Sequence, residues 1–205
     1  MNGQRGASRV QNIGAVITTF GTAVLIVALL WAHLVSTDVD PVRDPVSKYG
    51  ITETRKLYMT AGFAAAIAAI GAIIVLMNIA GDAAMISCVF LAIFALSRAI
   101  IPFVPMDAAR ARVTARGRAH RILAFLAFAS ITVAAFLAGG ALHDAGSTTE
   151  ATWSTVFAVI MAIGSIGVLL SPAVRLFART FGLWERLIYV GFIAWFITIV
   201  FAALD

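Results

Sequence analysis

Six apolar runs, near residues 12–34, 57–78, 83–104, 119–142, 152–172 and 184–204, fill most of this 205-residue chain. A helix needs about 20 apolar residues to cross the hydrocarbon core of a bilayer, and each run reaches that length. In lipid, only helices and closed barrels satisfy every backbone donor and acceptor. Runs this long, without strand-like alternation, predict helices. The expected fold class is therefore all-α, an integral membrane bundle of six transmembrane helices forming a single transmembrane domain over 1–205. Composition points the same way. The chain is 61% hydrophobic and 12% charged, whereas a soluble domain is roughly half apolar and a quarter charged. One globular core could not hide that surplus, and a bilayer accepts it.

Breakers bound the runs. Asp38 to Gly50 holds two prolines and several charges, and Gly81-Asp82 leaves room only for a tight antiparallel turn. Pro102 and Pro105 close the third run, Gly139-Gly140 loosen the end of the fourth, and Pro172 ends the fifth. Trp31, Trp153 and Trp184 fall at run ends, as interfacial tryptophans do, while Trp195 lies mid-run as a packing residue. Gly14, Gly21, Gly62, Gly71, Gly164 and Gly167 would let helices approach closely. The first run continues through Trp31-Ala32-His33-Leu34 without a small-residue cleavage site, so it reads as a retained helix.

The net charge of +5 does not point to nucleic acid, because the basic residues sit in short connections that would face lipid headgroups. Arg43, Lys48, Arg55 and Lys56, then Arg110, Arg112, Arg116, Arg118 and Arg121, then Arg175, Arg179 and Arg186 all fall on one side of the expected bundle. Only Arg5 and Arg9 fall on the other. The excess of basic residues inside predicts those loops in the cytoplasm and both termini outside, in a multi-pass protein of a prokaryotic plasma membrane. Cys88, the single cysteine, lies in an apolar run and carries no redox signal.

Polar residues collect at one end. Arg98 lies inside the third run, where an arginine costs roughly 2.5–3.5 kcal/mol on insertion scales and faces a bundle interior or wet cavity. It could also snorkel to the interface and hold its own helix end. Asp107, His120, Glu185, Ser47 and Tyr49 arrive on the same side. An acidic residue in a first helical turn is ordinary dipole chemistry, and a lone histidine there most often caps or packs. Converging, the six would line one polar pocket at the membrane surface. The arginines from 110 to 121 read as an orientation-setting loop or as a phosphate cradle. No cofactor is expected: His33, His120 and His143 do not offer a deep bis-imidazole site, metal-ligand spacings are missing, and so are phosphate-binding glycine loops and nucleophile elbows.

The sequence also resembles a known family. Pro45-Val46-Ser47-Lys48-Tyr49-Gly50 leading into Leu57-Tyr58-Met59-Thr60-Ala61-Gly62 is one motif. Ser97-Arg98 before Pro102-Phe103-Val104-Pro105-Met106-Asp107 and His120 is a second, and Leu183-Trp184-Glu185-Arg186-Leu187 with Trp195 a third. Together they resemble the bacterial and archaeal six-helix family called domain of unknown function number nine hundred and ninety-eight. The resemblance implies a layout distantly similar to the Frag, DRAM and Sfk group, some of whose members are linked to membrane lipids. Relatives of that family tend to carry their basic residues between helices four and five; this chain carries them between three and four. Either it is turned over, or charge has been recruited there for binding.

Three functions remain open. The first is a noncatalytic protein whose pocket of Arg98, Asp107, His120 and Glu185, with Ser47 and Tyr49 as a lid, binds an anionic lipid headgroup. The same protein could serve as an accessory subunit, with a membrane-protein partner or a second copy as its companion. The second is a lipid-modifying enzyme with His120 as general base, Asp107 as its orienter and Arg98 stabilising an oxyanion. The third, a channel or transporter, needs a continuous polar path that these residues, all at one end, do not supply.

Overall fold

The computed structural model describes residues 2–108 and 111–204, with the side chains of residues 2–8 left undescribed; Arg5, Arg110 and Asp205 thus fall outside the described side chains. Among the described residues seven helices follow one another: α1 (Asn2–Val35), α2 (Arg55–Ala80), α3 (Met85–Ile100), α4 (Ala115–Asp144), α5 (Thr148–Leu170), α6 (Arg175–Arg179) and α7 (Phe181–Ala202). Short 3-10 turns cover Val46–Ile51, Gly81–Ala84 and Ile101–Phe103. No strand occurs among the described residues.

The six expected runs correspond to α1–α5 and α7. Among the described residues, five stretches are long and apolar enough to cross a membrane. The second, Arg55–Phe103, spans 49 residues and holds both α2 and α3. It folds back at Gly81, where φ is +53°. Two local expectations differ from the structure. α1 begins well before residue 12, and α4 runs unbroken through Gly139-Gly140 to Asp144. Helix hydrogen bonds close each peptide regardless of side chain, so a glycine pair weakens a helix without ending it.

Each long helix packs on the next, and α7 returns to pack on α5, α1 and α2. Small residues set the closest approaches. At Gly21, a methyl group would lie 2.6 Å from the Ala68 nitrogen and 2.7 Å from the Ala64 carbonyl oxygen. That leaves α1 against α2 backbone to backbone, as packing in lipid favours. Larger side chains fill the middle. Trp195 is 0% exposed, and its indole nitrogen donates to the Ser154 hydroxyl at 2.6 Å. Phe192 meets Phe94 and Phe196 edge-on beside it. By contrast, Trp31 and Trp153 are well exposed.

The α4–α5 hairpin is tight at its turn and open at the other end. Near the turn, the Ser154 hydroxyl donates to the Ala135 carbonyl at 2.8 Å. Farther along, α5 leans on α7, where Gly164 faces the Trp184 carbonyl and Ile188 and Gly167 faces the Trp184 ring. α4 stays with α3. The space left between them is a cavity.

Candidate functional site

A cavity of about 600 Å³ lies between α4, α5 and α7, beneath the loops that precede α4 and follow α1. Its walls are mainly apolar, with Phe125 and Phe128 from α4, Val168 and Leu169 from α5, and Ile188 from α7. Phe125 and Leu169 are well exposed, so the cavity reaches the outer face of the bundle. Its polar groups concentrate at the loop end: Ser47, Asp107, His120, Arg121 and Glu185, with Ser165 on α5 and Ser171 just after it.

The backbone fixes His120 on α4. Its Nδ1 lies 2.6 Å from the Val104 carbonyl oxygen. A carbonyl only accepts, so Nδ1 carries the proton and, in the neutral ring, Nε2 is the acceptor. The residue is 4% exposed, lines the cavity, and its buried Nε2 has no hydrogen-bond partner. Glu185, 5% exposed in the second turn of α7, accepts the Val46 amide on Oε2 at 2.7 Å. Its Oε1 makes no hydrogen bond among the described residues. The carboxylate therefore both lines the cavity and pins the strap that joins α1 to α2.

The next residue pins the strap as well. Arg186 donates to the Asp44 and Gly182 carbonyls at 2.9 and 3.1 Å and to the Tyr49 hydroxyl at 3.4 Å. Having accepted from Arg186, the Tyr49 hydroxyl has its proton free for His33 Nδ1, 3.0 Å away. Ser47 donates to the Met106 sulfur at 3.3 Å, joining the strap to the α3–α4 loop. Within the strap, burial acts to raise the Asp44 pKa. The hydrogen bond from Lys48 at 2.7 Å, the Asp40 amide and the charges of Lys48 and Arg186 together outweigh it and hold the carboxyl below its ordinary range.

Asp107 sits on the exposed loop before α4. Oδ1 accepts the Thr114 hydroxyl at 2.6 Å and Oδ2 accepts the Thr114 amide at 3.0 Å. The Thr114 oxygen in turn accepts the Gly117 amide at 3.0 Å, which caps α4. Residue 117 must be glycine, because a methyl group there would overlap the Asp107 carboxylate. Hydrogen bonds from the Thr114 hydroxyl, then from its amide, hold the Asp107 carboxyl below the usual range.

The structure thus brings Ser47, Asp107, His120 and Glu185 to one cavity, and sets Arg98 and Tyr49 apart from its lining. Arg98 is 2% exposed and lies deeper in the bundle. Its Nη1 donates to the Tyr189 hydroxyl at 2.9 Å, and its guanidinium carbon lies 5.3 Å from the Tyr189 ring centre. No carboxylate comes within ion-pair distance of it among the described residues, and its Nε and Nη2 are buried without partners. His120 is oriented by Val104 and Asp107 is bound to Thr114, so no hydrogen bond joins the two.

Sequence reasoning missed Tyr189, Val104 and Ser165. Tyr189 alone left a signal, since it stands one helical turn after Glu185 and so shares its face. A backbone carbonyl leaves none.

No curated protein and no solved structure matches the chain. A family model described as "Protein of unknown function (DUF998)" matches residues 19–202. Since that is nearly the whole chain, from α1 to the end of α7, the protein is a member of this family.

Proposed function

We propose that this membrane protein binds a phospholipid with an anionic headgroup in the cavity between α4, α5 and α7. The cavity itself carries the reading: a long apolar wall reaching the bundle's outer face, closed at one end by polar side chains. Pockets of this size with apolar walls and a few placed polar groups suit small molecules, and an amphiphile matches both parts. Arg121 at the polar end would meet the phosphate. Arg98 would act from behind the wall as a fixed positive charge, its guanidinium held by Tyr189 and its Nε and Nη2 unpartnered.

Mass spectrometry of lipids kept through gentle detergent purification tests this. One anionic phospholipid class should be retained at about one per chain, and replacement of Arg121 by Gln should weaken that retention. Arg98→Met should weaken it as well while preserving the fold, since a buried charge replaced by an apolar side chain of similar length is often tolerated. A copurified polypeptide with no retained lipid would instead favour the accessory-subunit role.

A second reading rests on one observation, the buried and unpartnered Nε2 of His120, a residue that lines the cavity. A ring held by a carbonyl on one side and free on the other suits a general base acting on a bound lipid. Val104 would be the orienting group in place of Asp107. Lipid turnover by the purified protein, abolished in His120→Gln, is the outcome that would favour it.

A further inference from the structure

The inner end of the cavity is rich in acceptors, yet the charge around it is positive. His120 Nε2 accepts in the neutral ring, Glu185 Oε1 is free of protein donors, and the Ser165 hydroxyl is buried without a partner. Asp107 lines the cavity too, but Thr114 already occupies both its oxygens. Unmet acceptors that are nine-tenths buried, as His120 and Glu185 are, call for a ligand that donates hydrogen bonds.

Two kinds of donor are available in lipid headgroups, an ammonium and a hydroxyl. The charges decide between them. Arg121 lines the cavity, Arg186 follows Glu185 on α7 and holds the strap, and Arg98 is held by Tyr189, one turn beyond Glu185 on α7. Three guanidinium groups thus face the two carboxylates of Asp107 and Glu185. Lys48 and Asp44 pair with one another in the strap and cancel. An ammonium would enter a field of its own sign, whereas a hydroxyl donates without charge.

We infer that the headgroup carries hydroxyls beyond its phosphodiester, a phosphopolyol such as a phosphoglycerol or phosphoinositol, with His120, Glu185 and Ser165 accepting from them. This rests on the anionic-phospholipid reading and narrows it. The phosphate stays with Arg121, and the hydroxyls reach inward past it.

The test is competition between lipids on the full chain in detergent, read by native mass spectrometry. The probes are phosphatidylglycerol, phosphatidylmethanol and phosphatidylethanolamine with identical acyl chains. The first two share net charge and differ in headgroup hydroxyls. One or two net hydrogen bonds predict roughly a three- to tenfold preference for phosphatidylglycerol over phosphatidylmethanol. His120→Gln, which keeps an acceptor, should retain that preference. His120→Leu should abolish it without weakening phosphatidylmethanol; Ser165→Ala, expected to reduce it, serves if the leucine variant does not fold. Arg121→Gln should weaken both anionic lipids alike.

Equal retention of the two anionic lipids would overturn the hydroxyl inference and leave the anionic-phospholipid reading standing. Preference for phosphatidylethanolamine would overturn both, as would retention of no lipid. Displacement of bound phosphatidylglycerol by millimolar glycerol 3-phosphate would overturn the lipid assignment in favour of a soluble phosphopolyol.

Discussion

At Thr114 one hydroxyl carries two hydrogen bonds, donating to Asp107 and accepting from Gly117, and so ties the loop before α4 to the helix it starts. Removing it costs the helix its cap, about 1 kcal/mol for such residues. It also removes the first cause of the depressed Asp107 pKa. The sign follows from that depression: the Asp107 contribution is complete above the ordinary carboxylate range, near pH 4, and is lost as pH falls through the lower folded value. The Thr114 and Gly117 amide signals, followed by NMR, should move together through that acidic titration. In Thr114→Ala the Asp107 titration should return toward the ordinary range. An unmoved titration would mean that Thr114 does not set it. The Asp107–Thr114 link was not legible beforehand, because the six intervening residues can fold many ways. The polar residues themselves were legible, since a charge inside or beside an apolar run is rare enough to stand out.

The helices are where the sequence spoke most directly. Apolar length alone located α1–α5 and α7, and the Gly81 turn followed from there being no room for a longer connection. Glycines carried less information, because the same residue loosens one helix and seats another. Gly21 and Gly140 divide on this point. A methyl group on Gly21 would meet the backbone of α2, while one on Gly140 would meet nothing within 4 Å. Gly21→Ala should therefore destabilise the protein by about 1–3 kcal/mol through forced separation of α1 and α2. Gly140→Ala should stabilise it by up to about 1 kcal/mol through helix propensity. Thermal or denaturant unfolding in one detergent compares the pair, and equal effects would refute the α1–α2 contact. The short α6 went unforeseen, since five residues between Pro172 and Phe181 show no periodicity to read.

Across the whole molecule, the strap after α1, the loop before α4 and the start of α7 gather at one end, held by Glu185, Arg186 and Ser47. The basic residues of these connections predict that this end faces the cytoplasm. Single cysteines placed at Asp38, in the strap region, and at Gly146, in the α4–α5 turn, should be labelled from opposite sides by a membrane-impermeant maleimide. Cys88 is buried and gives a low background. Asp38→Cys should react only from the cytoplasmic side; reaction from outside would place the cavity's polar end there instead.

By itself the sequence determined the membrane environment, the helical class and which polar residues were out of place, because transfer to lipid depends on composition and length along the chain. The tertiary structure decided how those residues were grouped. It sent Arg98 to Tyr189, His120 to a backbone carbonyl and Glu185 to the strap, and it opened a cavity where α5 leaves α4 for α7. Those outcomes depend on distances between helices and on backbone groups that every residue shares, and neither is written in the identity of any one residue.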